Sequence, residues 1–129
     1  MKKFLIIIPF IMMLSLSGYA KGSSRKILVT ATVYQPVKGQ CDKNPLITAD
    51  GSKISLKQLK RGKLRWIALS RDLLREFKYG TRVSVNCKED PSINGIYTVH
   101  DTMNKRWKRR IDILSTKKIG KWKVYIKKV

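Results

Sequence analysis

The chain has 129 residues, with 29 Lys and Arg against 8 Asp and Glu, and a formal charge of +21. That length argues against a multidomain enzyme, and a hydrophobic content of 43% argues against a disordered polycation. No third ligand accompanies the two cysteines, Cys41 and Cys87, at metal spacing, and neither a metal nor a cofactor is expected.

The first twenty residues have the form of a secretory signal peptide. Lys2 and Lys3 precede the apolar run "FLIIIPFIMMLSLS", and "GYA" offers small residues around a cut after Ala20. The run falls short of the about 20 residues of a membrane span, and Pro9 interrupts it. A mature domain of residues 21–129 is therefore expected, exported to the periplasm or cell exterior and associated with the wall, with no stable membrane span. It would be a monomer. Loss of Lys2 and Lys3 leaves a charge of +19. Such a balance suits anionic polymers or anionic lipid, and export disfavours a specific nucleic-acid partner. Cys41 and Cys87 form an even pair in an exported chain, which predicts a disulfide. The alternative is two buried or free thiols.

Short strand-like runs follow. "ILVTATVYQ" (27–35) is rich in β-branched and aromatic residues. Pro and Gly mark 36–45 as a loop, and "TADGSKI" (48–54) holds a turn signal. "LRWIALS" (64–70) predicts a strand. Leu73, Leu74 and Phe77 then have helical spacing, with Ser70 as N-cap and Asp72 at the positive end, so one short helix is predicted over 71–77. Strands are predicted again at 81–87, 96–102, 109–114 and 121–129. Six short strands around one helix make a small β-barrel the natural fold, because closure hides the edges.

Asp101 and Asp112 bracket the most basic segment, "DTMNKRWKRRID". Alternation puts Asp101 on a face with Tyr97 and Val99, and His100 on the other; Arg110, Asp112 and Leu114 share a face. Both aspartates lie at strand ends, so they are expected to meet at one barrel mouth. His100 is expected to be a partly exposed structural residue. Trp66 and Trp122 fit a core. Tyr34 and Trp107 are candidates for stacking on sugar rings.

The ordered set "TADG" (48–51), "WIALSRDLL…YGTRVSV" (66–85), "GIYTVHDTMNK" (95–105) and "RIDIL" (110–114) resembles the three-aspartate (3D) domain. That family includes the barrel of membrane-bound lytic transglycosylase A and stationary-phase-survival-type proteins, and it is similar to rare lipoprotein A-like and expansin barrels. The likeness runs over roughly residues 28 to 128. It implies a mainly β fold, a six-stranded double-psi β-barrel with one short helix, and peptidoglycan glycan strands as partner. In the lytic enzymes a carboxylic acid protonates the glycosidic oxygen and then assists attack by the sugar's 6-hydroxyl, leaving a 1,6-anhydro end. The resemblance carries the family's acid to Asp112 and its "DTG" aspartate to Asp101. It also places Thr48, and Ser70 where the family has its third aspartate, beside the glycan.

Three functions follow. The first is an exported lytic-transglycosylase-type enzyme that cleaves peptidoglycan through Asp112 and Asp101. The second is a non-catalytic, expansin-like glycan-binding module. The third is a cationic protein that binds anionic polymer or lipid without a cleft. The missing third aspartate favours the second, and retention of Asp101 and Asp112 favours the first. For Asp112 the alternative to acid catalysis is an ion pair with Arg110 that fixes the strand; for Asp101 it is a turn aspartate bonded to backbone N–H groups.

Overall fold

The computed structural model describes residues 25–37, 44–118 and 120–129. The proposed signal peptide and Cys41 lie outside these residues. Six strands form: β1 (Ile27–Tyr34), β2 (Trp66–Leu69), β3 (Arg82–Asn86), β4 (Gly95–Thr102), β5 (Arg110–Leu114) and β6 (Trp122–Lys128). Each falls within one residue or two of the run that its apolar and β-branched content predicts. They close into a barrel in the order β1-β5-β2-β4-β3-β6. Only β3 and β4 are both consecutive in sequence and paired, as an antiparallel hairpin. The pairs β1–β5 and β2–β4 are parallel, so their connections must cross the barrel ends. This is the crossed arrangement of a double-psi barrel. Among the described residues no helix is long and apolar enough to cross a membrane.

Closure leaves two apolar clusters. Val29, Ile67, Val83, Val99, Ile111 and Ile126 are among the residues that fill the main core. Tyr34, Ile54, Leu59, Ala68, Met103 and Leu114 form a second cluster, against which Leu46, Trp66 and Trp107 pack. Adjacent residues of β2 and β5 divide between the clusters: Ile67 and Ile113 go to the first, Ala68 and Leu114 to the second. This is the period-2 alternation of a strand covered on both faces.

The helix is not where the Leu73/Leu74/Phe77 spacing puts it. Arg71–Leu73 is a 3-10 turn, and further turns carry the chain to Phe77. Leu73 and Phe77 are buried as expected. However, only ten residues separate the end of β2 from Gly80, whose φ of +90° turns the chain toward β3. A run of tight turns buries the same side chains in that space. Ser70 does not cap its side chain onto this turn. Among the described residues the α-helix is α1 (Leu56–Lys60), which sequence analysis missed. Its signals are ordinary: the Ser55 hydroxyl accepts the Gln58 N–H at 3.2 Å, Leu59 is buried, and Gly62 follows with φ +74°.

Cys87 is buried, with no bridge among the described residues, and its Sγ lies 3.8 Å from Glu89 Oε1. With Cys41 outside the described residues, the bridge stays an expectation of the sequence.

Candidate functional site

Strand register alone assembles the centre of the site. Thr32 on β1 pairs with Asp112 on β5; Asp112 pairs with Ala68 on β2; Ala68 pairs with Asp101 on β4. Paired residues project to the same side of a sheet. One row across four strands therefore presents a hydroxyl, a carboxylate, a methyl and a carboxylate in turn. Ala68 leaves open the space between the two acids.

Asp101 joins this row through a β-bulge. Ile67 pairs with Val99, but the next residue, Ala68, pairs with Asp101, so His100 is the extra residue of β4. Simple alternation had put Asp101 with Tyr97 and Val99, which face the main core. The bulge reverses the phase and turns Asp101 outward to the second face. Convergence of Asp101 and Asp112 was expected, but by a different geometry.

Asp112 is half-buried. Burial is the largest influence on its carboxyl and raises the pKa above the usual carboxylate range. A 2.8 Å hydrogen bond donated by Thr32 and the charge of Arg110 oppose that rise, and the Asp101 carboxylate adds to it. The Asp112–Arg110 ion pair is not formed: among the described residues, the ion pair to an arginine is Arg25–Glu76. The Arg110 guanidinium instead lies 3.9 Å from the ring centroid of Trp107.

Asp101 is held as an acceptor. Its Oδ1 receives the N–H groups of Ala49 and Thr102 at 2.8 and 2.9 Å, and its Oδ2 receives the Tyr34 hydroxyl at 3.2 Å. The Ala49 bond ties the 48–52 turn to the carboxylate. That turn is braced in its own right. Burial works to raise the pKa of Asp50, but bonds from Thr48, His100 and Ser52 outweigh it and bring it to about 2. The His100 Nδ1 contact with Asp50 is 2.7 Å, and the Trp66 ring lies 4.1 Å from the imidazole. His100 is thus a half-buried structural residue with a definite task, which its isolation in the sequence did not reveal.

Tyr34, Thr48, Asp101, Trp107 and Asp112 all line one open groove of about 600 Å³, with Ala68 at its floor. Each sits there with its own commitments. Tyr34 is buried and holds Asp101. The Thr48 hydroxyl donates to Asp50 at 2.6 Å. Trp107 is flanked by Arg110 and by Arg106, whose guanidinium is 4.8 Å from the ring centroid. It is a post between two cations rather than a bare stacking platform. Ser70 does not line the groove. It is fully buried, and its hydroxyl accepts the Arg110 N–H at 3.0 Å while its own N–H donates to the Arg110 carbonyl at 2.9 Å. Its place is behind the site, joining the end of β2 to the start of β5. Among the described residues no three His, Cys, Asp or Glu converge as metal ligands.

Thr32, Ala68 and the Ala49 N–H escaped sequence analysis. Period-2 counting could have marked Thr32, since it alternates with the apolar Val29, Ala31 and Val33 on β1. Nothing in the sequence marks an alanine as the floor of a groove.

The sequence matches no protein-family model and no curated protein. The fold is similar to that of an expansin from Clavibacter michiganensis, both in its apo crystal structure and as an aspartate-to-asparagine variant in complex with cellohexaose. In each case the TM-score is 0.54 and the identity 13%, over 81% of this chain and 50% of that one. The chain thus spans about half the length of the proteins whose fold it shares, and the likeness establishes the barrel.

Proposed function

We propose that the protein is an exported, glycan-binding wall protein whose ligand lies in the groove over Asp112, Ala68 and Asp101. One observation carries this: five of the six residues singled out as catalytic or substrate-contacting line a single open groove, from five different segments of the chain. Its volume of about 600 Å³ is in the usual range of ligand clefts. The bound cellohexaose of the expansin variant supports a sugar chain as the class of ligand for this barrel. Peptidoglycan glycan is the substrate we assign, on the likeness of "GIYTVHDT" and "RIDIL" to the 3D domain.

A second reading, cleavage, is favoured by the raised pKa of Asp112. A carboxylic acid that keeps its proton nearer neutrality is suited to general acid catalysis. Asp112 would give its proton to the glycosidic oxygen as the C1–O bond breaks. The resulting carboxylate would take the proton of the 6-hydroxyl as that oxygen bonds to C1, yielding a 1,6-anhydro end without consuming water. Asp101, which accepts three hydrogen bonds, would lie beside the developing cation.

The test is co-sedimentation with purified peptidoglycan and mass analysis of the supernatant. Binding that is about tenfold weaker in Trp107→Ala is expected, on the order of the contribution of one aromatic contact. Equal binding by the two proteins would remove the groove from the account. Anhydro-ended products from the wild type establish cleavage, and binding without products leaves the module alone.

A further inference from the structure

A second concavity, of about 290 Å³, lies on β1, β5 and β6, lined by Thr30, Lys108, Arg110, Lys121, Trp122 and Lys123. Register builds it. Thr30 pairs with Arg110 on one side and with Lys123 on the other. Arg110, Thr30 and Lys123 therefore form a row with a cation at each end, roughly 10 Å apart across two strand spacings. Lys108 and Lys121 enter from the segments preceding β5 and β6. No carboxylate lines the pocket, and none of its four cations belongs to an ion pair among the described residues. Asp72 and Asp112 feel the charges of Lys108 and Arg110, but neither reaches the pocket.

Two of the lining residues also carry a buried donor that has no partner among the described residues. Arg110 Nε and Trp122 Nε1 have no hydrogen-bond partner. A buried N–H without an acceptor is unfavourable, so both side chains stand to gain one. Lys123 is already oriented, donating to the Thr30 hydroxyl at 3.0 Å. Gly120 fixes the indole from behind: a Cβ there would lie 3.0 Å from Trp122 Cζ2.

We propose that this pocket is a binding site for a phosphate group carried on a sugar or polyol. Four cations around one concavity, with no carboxylate among them, suit a multiply charged anion better than the single charge of a carboxylate. A phosphate monoester offers three terminal oxygens and a charge of about −1.5 to −2. The volume exceeds that of a bare anion, and the Trp122 ring offers an apolar wall to the carbon stem. The site is distinct from the glycan groove and stands or falls separately.

The experiment follows the three tryptophan indole N–H signals by NMR while the full mature chain is titrated with inorganic phosphate, glycerol 3-phosphate or sodium chloride at matched ionic strength. The Trp122 signal, assigned with Trp122→Phe, should shift saturably with both phosphates and tighter with glycerol 3-phosphate. The double variant Lys121→Gln/Lys123→Gln replaces exposed side chains and should still fold. It should bind glycerol 3-phosphate at least about tenfold more weakly, the scale of one or two charge-assisted hydrogen bonds. It should keep wild-type binding to uncharged cello-oligosaccharide. An equal or unsaturable shift with chloride, or undiminished affinity in the double variant, overturns the site. Equal affinity for the two phosphates overturns the carried-phosphate assignment.

Discussion

Asp112 and Asp50 show how the same residue type is pushed in opposite directions by its surroundings. For Asp112, burial dominates and the folded-state pKa lies above the reference value of 3.8. As pH rises past that value the unfolded chain ionises first, so stability is lost until the folded carboxyl ionises too. At neutral pH the charge is therefore a net cost. Asp112→Asn keeps an oxygen for the Thr32 hydroxyl and removes that cost. Its melting temperature should exceed that of the wild type at pH 7, and the gain should vanish below about pH 4. An Asp112–Arg110 ion pair would have given a loss instead. If the protein cleaves glycan, the same variant should lose about 10²–10⁴-fold in rate. Asp50 has the opposite sign. Its pKa of about 2 means that it stabilises the fold above the unfolded value, and that this is lost as pH falls from about 4 to about 2. Asp50→Asn should flatten the acid limb of a melting-temperature profile over that window. An unchanged acid limb would show that the Thr48, Ser52 and His100 bonds do not bias its ionisation.

At the scale of elements, the site depends on how β2, β4 and β5 are joined. The bulge at His100 decides which face Asp101 takes. The reciprocal bonds of Ser70 and Arg110 extend the β2–β5 ladder past Leu69 and set where β5 begins. Next to them, Arg109 takes a left-handed φ of +47°, and its N–H donates to Asp72 at 3.0 Å. Burial would raise the pKa of Asp72, but the Ser70 and Arg109 bonds and the Lys108 charge hold it below its usual value. Ser70 is thus a joint between β2 and β5. Ser70→Ala leaves the Arg110 N–H without its acceptor in a fully buried place. It should cost about 1–3 kcal/mol, seen as a lower denaturant midpoint with an unchanged slope. A cost below a few tenths would mean that this joint does not hold the two strands.

For the whole molecule, a charge of +21 on 129 residues guarantees some attraction to any anionic wall. Exposed charges are screened beyond about 10 Å at 0.1 M salt, whereas contacts inside a groove are screened much less. Wall binding should therefore show two parts. One should fall away by several hundred millimolar salt. The other should persist and be lost in Trp107→Ala. Complete loss of wild-type binding in salt would leave a cationic surface and no shaped groove.

The strands and their number were legible in the sequence, because alternation and β-branched content are local properties of a chain with period 2. So was the company of Asp101 and Asp112, since strand ends of a small barrel have few places to be. The helix was misplaced, because spacing of Leu73, Leu74 and Phe77 reports which side chains are buried and not whether the backbone has room for a full turn. What only the tertiary structure decided was the face of Asp101, the silence of Ala68 and the joint role of Ser70. A bulge is one residue of mismatch between two strands, an alanine floor is the absence of a side chain, and a buried hydroxyl is defined by the strand it meets 40 residues later. Each of these is a relation between distant segments, and barrel closure is what brings those segments together.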